Sequence, residues 1–282
     1  MPDIAITGAT GRLGGRVAQR LSTAGAVQRL LARDPARAPQ LPGATAVRAE
    51  FSDRDAVRAA LDGVPVVLMV SASETPDRLA RHTAFVDAAA GAGVGHLVYI
   101  SFYGAAPGCT FTLGRDHYAT EQHIRASGLP FTFLRDNFYA DFMAALVGDD
   151  GVIRGPAGSG RLAAVAQDDI ADAATAVLLD PAAHAGRTYS LTGPQSLTLD
   201  EVAAILTAEL HRPVTYEPET LDEAYASRAG YGAPSWQVDA WVSTYTAIAN
   251  GEVAEVTDDI PTLTGHPATS LAGLLRRGGS AY

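Results

Sequence analysis

The chain has 282 residues, of which 47% are hydrophobic and 18% charged, so it can bury the core of one large domain with an appended region. The net charge of −10, with no basic cluster, argues against nucleic acids and anionic membranes as partners. The single cysteine, Cys109, excludes an internal disulfide and a cysteine-rich metal site, and is typical of a cytoplasmic protein.

Strands and helices alternate along the first half of the chain. Residues 3–7 form a predicted strand that ends at Gly8, and residues 12–24 a helix with Leu13, Val17 and Leu21 on one face. Because this strand and its glycine turn occupy the N-terminus, we expect no signal peptide. Further strands are predicted at 28–32, 45–49, 64–70, 96–100 and 130–134, and helices at 53–61, 77–92 and 115–127. This alternation predicts an α/β Rossmann fold with a doubly wound parallel sheet over residues 1–147.

The regular alternation of strands and helices ends after about residue 140. The sequence predicts a glycine-rich loop at 148–160, a helix at 167–179 and a strand at 188–191. Thr198 and Glu201 have the spacing of a capping box for a helix to about residue 211. A strand at 214–217 and helices at 221–228 and 236–250 follow. We therefore expect residues 148–282 to form a smaller α+β cap that binds substrate, with some segments returning to the core sheet.

The clearest motif is Gly8-x-x-Gly11-x-x-Gly14, which lies between a strand and a helix. Gly8 is expected to make the tight turn, Gly11 to let a pyrophosphate approach the backbone, and Gly14 to let the helix pack on the sheet. At the start of a βαβ chain this motif predicts a dinucleotide site. The predicted cofactor residues here are Gly8, Thr10, Gly11, Arg12, Leu13 and Gly14.

The residue after the second strand indicates which dinucleotide binds. An acidic residue there suits the ribose of NAD, whereas Arg33 suits the 2′-phosphate of NADP, with Arg12 and Arg37 able to join it. The alternative is that Arg33 is an ordinary solvated arginine. By topology, the third strand should bring Glu50 and Phe51 to the adenine, and the fourth should bring Ser71 and Ser73 to the cofactor. We expect NADP(H) to be preferred over NAD(H).

These motifs resemble the NmrA-like, atypical branch of the short-chain dehydrogenase/reductases, and within it the bacterial NAD(P)H:quinone reductases and triphenylmethane-dye reductases. The resemblance covers nearly the whole chain. It rests on residues 7–14, 32–35, 117–121, 130–135, 257–259 and 265–267. It implies hydride transfer from NADPH to a small, flat organic acceptor, with a homodimer left open.

The usual tyrosine–lysine pair of this superfamily is missing. The chain contains no lysine, and all 21 of its basic residues are arginines, which do not titrate in place of a lysine. By the resemblance, the pair would fall at Leu113 and His117. The usual proton relay is therefore absent, and we expect the acceptor to be electrophilic enough to take hydride directly.

His117, Tyr139 and Tyr103 are the candidate catalytic residues. His117 could position the nicotinamide ribose, deliver a proton, or have a purely structural role in its helix. Ser101 and Asn137 are expected to lie beside the cofactor. Phe138 and Tyr139 follow the sixth strand and could either stack on a flat acceptor or pack in the core at the strand–helix junction, while Phe102 and Tyr103, after the fifth strand, could line the substrate pocket. The remaining histidines show no spacing typical of a metal site, so no metal is expected.

Two further functions stay open at this point. One is a redox-sensing protein that binds NADP(H) and regulates a partner, as some NmrA-like proteins do. The other is a reductase or isomerase of a secondary metabolite. Turnover of NADPH with a panel of quinones distinguishes an enzyme from a sensor.

Overall fold

A computed structural model describes residues 3–278. The chain forms two compact units. The first unit comprises the residues up to Phe102, together with Asp116–Arg135 and Asp168–Tyr189. The second comprises Tyr103–Arg115, Asp136–Gln167 and the residues from Ser190 onward. Each unit is thus assembled from segments that are separated in the sequence.

The elements of regular structure run as follows. The strands are β1 (Asp3–Thr7), β2 (Val27–Ala32), β3 (Ala44–Arg48), β4 (Val66–Met69), β5 (His96–Phe102), β6 (Phe131–Asp136), β7 (Val152–Gly155), β8 (Arg161–Leu162), β9 (Thr188–Leu191), β10 (Leu197–Thr198) and β11 (Thr215–Pro218). The helices are α1 (Arg12–Thr23), α2 (Arg54–Ala60), α3 (Arg78–Gly91), α4 (Thr112–Ser127), α5 (Gln167–Leu179), α6 (Leu199–Leu210), α7 (Leu221–Arg228), α8 (Ser235–Ala249), α9 (Asp259–Thr264) and α10 (Leu271–Arg276).

A seven-stranded sheet has the order β3-β2-β1-β4-β5-β6-β9. Strand β1 pairs in parallel with β2 on one side and with β4 on the other, with Ile4 opposite Gln28 and Val66. The chain therefore reverses its direction of winding between β1 and β4. Open α/β sheets bind ligands at this switch point, outside the carboxyl ends of the strands. The predicted doubly wound parallel sheet is confirmed.

Burial explains why the central strands carry apolar runs. All four residues of β4 and all seven residues of β5 are buried, as expected of parallel strands covered on both faces. Helix α1 buries Leu13, Val17 and Leu21, the apolar stripe predicted from the 3.6-residue period. The core of the first unit is thus built from residues whose pattern is visible in the sequence.

The second unit contains two small sheets. Strand β7 pairs in parallel with β11, and β8 pairs antiparallel with β10. Helix α6 begins with the predicted capping box, in which Thr198 and Glu201 bond reciprocally to each other's backbone N–H groups. Helix α7 begins with a second capping box, formed by Thr220 and Glu223.

The structure corrects several predicted elements. The glycine-rich stretch at 148–160 is not all loop, because β7 lies within it and buries Ile153 in its pairing with β11. Helix α4 begins at Thr112, three residues before the predicted start. The two-residue strands β8 and β10 and the six-residue helices α9 and α10 are too short to produce a periodic signal.

Among residues 3–278, no helix has both the length and the apolar character needed to span a bilayer.

Candidate active site

The glycine turn follows β1 and leads into α1 of the first unit. Gly8 has a φ of +67°, a backbone conformation that favours glycine. The Gly11 N–H donates to the Gly8 carbonyl oxygen at 2.9 Å and closes the turn. A Cβ on Gly14 would lie 2.4 Å from the carbonyl oxygen of Gly8, so only glycine lets α1 pack this close to the turn. The backbone thus presents the N-terminus of α1 without a side-chain cap, as anion binding requires.

Thr7 joins the ends of β1 and β4, a role that the sequence analysis missed. Its hydroxyl accepts a hydrogen bond from the Val70 N–H at 2.8 Å and donates to the Val70 carbonyl at 3.2 Å. A Cβ on Gly8 would lie 3.1 Å from Val70 Cβ. The two sides of the switch point are therefore held together directly below the glycine turn. The sequence feature that could have indicated this role is a threonine at the end of a buried strand.

The other residues of the predicted phosphate turn differ in exposure. Thr10 and Arg12 are exposed, whereas Leu13 is buried and packs into the core. Leu13 can therefore offer only its backbone N–H group to a ligand.

Arg33 stands directly after β2 and is exposed. Within the described residues, neither Arg33 nor Arg37 forms a hydrogen bond or ion pair with another side chain. The carboxylate of Asp34 accepts a hydrogen bond from the Ala36 N–H at 3.1 Å and so caps the short 3₁₀ helix Pro35–Arg37. Asp34 is therefore engaged with the backbone, and the two guanidinium groups remain available to an anion.

The loops after β3 and β4 hold the next predicted residues. Glu50 is exposed, and the half-buried Phe51 stacks on Phe85 with a centroid distance of 4.6 Å. Ser71 is half-buried and Ser73 is exposed. The backbone between the two serines is held from α3, as His82 Nε2 accepts a hydrogen bond from the Ala72 N–H and Arg78 Nε donates to the Ala72 carbonyl.

His117 lies in a buried polar cluster, defined here as Arg78, Tyr99 and His117. Arg78 Nη2 lies 2.9 Å from His117 Nε2, and Tyr99 Oη lies 2.9 Å from His117 Nδ1. A guanidinium only donates, so Nε2 accepts and the ring proton sits on Nδ1, where it points to Tyr99. Both ring nitrogens of His117 are engaged by protein atoms, in a geometry that requires a neutral imidazole.

Electrostatics agrees with a neutral His117 ring. Burial, followed by the positive charge of Arg78, lowers the pKa of His117 well below its ordinary value. Burial and Arg78 also lower the pKa of His82, to about 3. Neither ring is a cation at neutral pH. The structure therefore disfavours His117 as a charged proton donor, and its two ring nitrogens bind Arg78 and Tyr99 rather than facing a cofactor.

Ser101 belongs to a different buried group. It is fully buried, and its hydroxyl donates to Glu121 Oε1 at 2.6 Å. Arg135 donates to both oxygens of the same carboxylate, at 2.8 and 2.6 Å. The hydroxyl proton of Ser101 is therefore directed to Glu121. Phe102, the next residue, is also buried, with its ring centroid 6.2 Å from that of His117.

The remaining predicted residues belong to the second unit. Tyr103 donates to Glu255 at 2.7 Å, and burial together with this carboxylate raises the pKa of Tyr103 to about 12. Tyr139 donates to Asp136 at 2.8 Å. Both phenol groups thus donate to carboxylates, and for Tyr103 the raised pKa disfavours release of the proton to a substrate.

Asn137 and Phe138 are also tied into the second unit. The buried amide of Asn137 donates to the Val253 carbonyl at 3.0 Å and accepts from the Phe138 N–H at 2.8 Å. The half-buried ring of Phe138 lies edge-on to Phe111, with a centroid distance of 5.2 Å. Asn137 therefore shapes the segment after β6, while Phe138 and Tyr139 keep partly exposed aromatic surface.

A comparison with protein families identifies the fold that carries this turn and cluster. The model of the NmrA-like family matches residues 2–227, most of the chain. The chain belongs to the NmrA-like family. The predicted resemblance is confirmed.

Relatives that match most of this NmrA-like chain include proteins named as oxidoreductases and reductases. It is 34% identical to quinone oxidoreductase 2 of Escherichia coli over 95% of this chain and 96% of that protein. It is 36% identical to the (4-alkanoyl-5-oxo-2,5-dihydrofuran-3-yl)methyl phosphate reductase of Streptomyces griseus, over 94% of each chain. The crystal structure of Citrobacter sp. triphenylmethane reductase complexed with NADP(H) superposes with a TM-score of 0.86 at 30% identity, covering 97% of this chain and 99% of that one.

Proposed function

We propose that this NmrA-like protein is an NADPH-dependent oxidoreductase that passes hydride directly to a small, flat, conjugated acceptor such as a quinone or a cationic dye. The bound NADPH supplies the hydride. The residues of the chain supply cofactor binding, orientation of the acceptor and exclusion of competing reactions. The observation that carries the direct transfer is the neutral, doubly hydrogen-bonded state of His117.

The glycine turn fits the pyrophosphate of a dinucleotide. The exposed Gly11 leaves the first turn of α1 bare, and a Cβ at that position would meet only the Gly8 carbonyl oxygen within 4 Å. The backbone N–H groups and the dipole of α1 would then hold the phosphates. Arg33 and Arg37 would hold the 2′-phosphate that distinguishes NADPH from NADH.

Among the described residues, none of the three candidate acids, His117, Tyr103 and Tyr139, is poised to protonate the acceptor. The chain has no lysine, and the imidazole of His117 is neutral at physiological pH. The hydroxyl groups of Tyr103 and Tyr139 donate to carboxylates. Quinones and cationic dyes accept hydride without prior protonation, so they match these residues better than simple ketones do. Water can protonate the reduced acceptor afterwards.

A second candidate substrate class is a conjugated lactone. The relative from Streptomyces griseus is named for the reduction of a dihydrofuranone phosphate, and it is 36% identical over nearly the whole chain. A carbon–carbon double bond conjugated to a carbonyl is also an electrophile that accepts hydride directly. The two candidates therefore share the chemistry and differ in the shape of the acceptor.

The function is tested by NADPH oxidation, followed by its near-ultraviolet absorbance. The panel contains a small quinone, a triphenylmethane dye, an azo dye and an unsaturated lactone. Turnover of at least one conjugated acceptor, without turnover of simple ketones, is the expected result. Tight NADPH binding without turnover of any acceptor would instead support the alternative of a redox sensor.

Arg33→Ala is expected to lower the affinity for NADPH about 10- to 100-fold, the range of a charge-assisted arginine–phosphate contact. The affinity for NADH should change less than about twofold, because NADH lacks the phosphate. Calorimetric titration of both cofactors measures the effect. Arg58→Ala removes another exposed arginine, at the end of α2, and is the matched control. Equal affinity of the unmodified protein for NADPH and NADH would contradict the assignment of Arg33.

His117→Gln is expected to keep the rate of hydride transfer within about tenfold, less than the loss of a general acid causes. A glutamine oxygen can still accept the hydrogen bond of Arg78. Because the pKa of His117 lies well below its usual range, the rate should not fall as pH rises from about 6 to 8. Single-turnover rates over this interval measure both effects. A loss above 100-fold, together with disappearance of a near-neutral pKa, would show that His117 is a proton donor.

A further inference from the structure

Arg78 is a buried cation on the first residue of α3, and the sequence analysis did not single it out. Its exposed fraction is 4%, and within the described part of the chain the hydrogen bonds of its side chain go to two uncharged partners, the Ala72 carbonyl and the imidazole of His117. Among the described residues, Nη1 has no hydrogen-bond partner, although it is buried. A buried, charged guanidinium with one nitrogen that lacks an acceptor is costly, so this group needs an explanation beyond packing.

The counter-charge of Arg78 is incomplete. An oxygen of Asp116 lies 3.6 Å from Nη1, beyond hydrogen-bond distance, and the Asp116 side chain is 31% exposed to solvent. Solvent screens the carboxylate more than it screens the buried guanidinium. The pKa of both neighbouring histidines, His82 and His117, is lowered in part by the charge of Arg78. A positive potential therefore persists inside the buried cluster.

Topology locates this charge within the first unit. Arg33 follows β2, on one side of β1, and marks the half of the site that takes the adenosine phosphate. Arg78 holds Ala72 of the loop after β4, on the other side of β1, and contacts His117, which is bonded to Tyr99 of β5. A dinucleotide that crosses the switch point with its adenosine over β2 has its nicotinamide over β4 and β5.

We infer that Arg78 is a positioning residue whose buried charge makes this protein bind NADPH more tightly than NADP⁺. The inference rests on the proposed function, because it needs the dinucleotide site. The oxidised nicotinamide ring is a cation and the reduced ring is neutral. A fixed positive charge near that ring disfavours the oxidised form and leaves the reduced form almost unaffected.

This charge does two things at once. It holds His117 as a neutral acceptor and fixes the loop at Ala72 through direct hydrogen bonds. Through space, it biases the site toward the hydride donor and against its product. A lysine at position 117 would place a cation in this region from α4; here the cation comes from α3 instead.

The experiment measures the dissociation constants of NADPH and NADP⁺ by calorimetry, without any acceptor. We expect Arg78→Gln to reduce the preference for NADPH roughly three- to tenfold, the size of a unit-charge effect in a partly screened site. Arg78→Lys keeps the charge and should hold the preference within about twofold of the unmodified protein. Arg81→Gln is the matched control, because Arg81 lies one turn along α3, its side chain is 28% exposed and it pairs with Asp77. The preference of this variant for NADPH over NADP⁺ should equal that of the unmodified protein.

Asp116→Asn provides a second variant, which is expected to change the preference for NADPH in the opposite direction. Removing the partly exposed carboxylate leaves Arg78 in place and should increase the preference for NADPH by up to about threefold. If Arg78→Gln does not fold, Asp116→Asn decides, and an unchanged or reduced preference overturns the inference. Equal weakening of both cofactors in folded Arg78→Gln also overturns it, because a purely structural role predicts that result. Failure of the unmodified protein to bind either cofactor would overturn the proposed function as well.

Discussion

Replacing Gly11 with valine is expected to abolish measurable NADPH binding, a loss of at least about 100-fold, while the chain stays folded. Gly11 is the N-cap of α1 and has an extended backbone, with φ −95° and ψ 176°, which valine also adopts. The added Cβ would meet only the Gly8 carbonyl oxygen, at 3.2 Å, so a small shift accommodates it. The rest of the side chain would occupy the space above the first turn of α1, where the pyrophosphate is proposed to bind.

Gly14→Ala provides the contrast. A Cβ at Gly14 would lie 2.4 Å from the carbonyl oxygen and 2.6 Å from the carbonyl carbon of Gly8, so the backbone itself must move. We expect this variant to lose stability, by about 1–3 kcal/mol, as well as cofactor affinity. Thermal unfolding and calorimetric titration of both variants separate the two effects. Unchanged NADPH affinity in folded Gly11→Val would show that the phosphate site has been assigned to the wrong turn.

Replacing Glu121 with alanine is expected to lower the free energy of unfolding by about 2–4 kcal/mol at neutral pH. Glu121 is fully buried and accepts three hydrogen bonds, two from Arg135 and one from Ser101. Its removal leaves a guanidinium without a counter-charge and a hydroxyl without an acceptor. The loss stays below that of a wholly buried pair because the Arg135 side chain is 24% exposed and can recruit water.

Urea unfolding at pH 7 measures this loss. Glu121→Gln keeps the shape and part of the hydrogen bonding, so it should lose less stability than Glu121→Ala. Glu209→Ala is the matched control, because Glu209 also binds an arginine through two nitrogens, but its partner Arg276 is 70% exposed. The control should lose only a small fraction of the stability that Glu121→Ala loses. Equal losses in the two alanine variants would contradict the role assigned to Glu121.

Residues with strong local signals were predictable from the sequence. Gly8 needs a positive φ and Gly14 a close backbone approach, both of which favour glycine, so the turn is visible from its local glycine spacing. The capping box at Thr198 and Glu201 is likewise a local arrangement, and it is found as predicted. Strand β7 was missed because four residues that follow Gly151 and end at Gly155 show no periodicity, and its pairing with β11 links residues some 60 positions apart.

The state of His117 was not predictable from the sequence. The spacing from Glu121 places His117 in the lysine position of the family, and a histidine there is compatible with an acid, a ligand contact or a structural role. The structure surrounds it with Arg78 from α3 and Tyr99 from β5. Arg78 and Tyr99 lie 39 and 18 positions before His117 in the sequence. No residue adjacent to His117 indicates that a guanidinium donates a hydrogen bond to its Nε2.

Sequence by itself determined the fold class, the glycine turn, the arginine after β2 and the absence of any lysine-based proton relay. These properties follow from covalent chemistry and from the local periodicity of side chains, which act over a few residues. Tertiary structure alone decided that His117 is a neutral acceptor, that Ser101 serves a buried carboxylate, and that Arg78 is a buried cation with an incomplete counter-charge. Protonation and hydrogen bonding depend on burial and on neighbours brought from distant segments, because desolvation and charge act through space rather than along the chain.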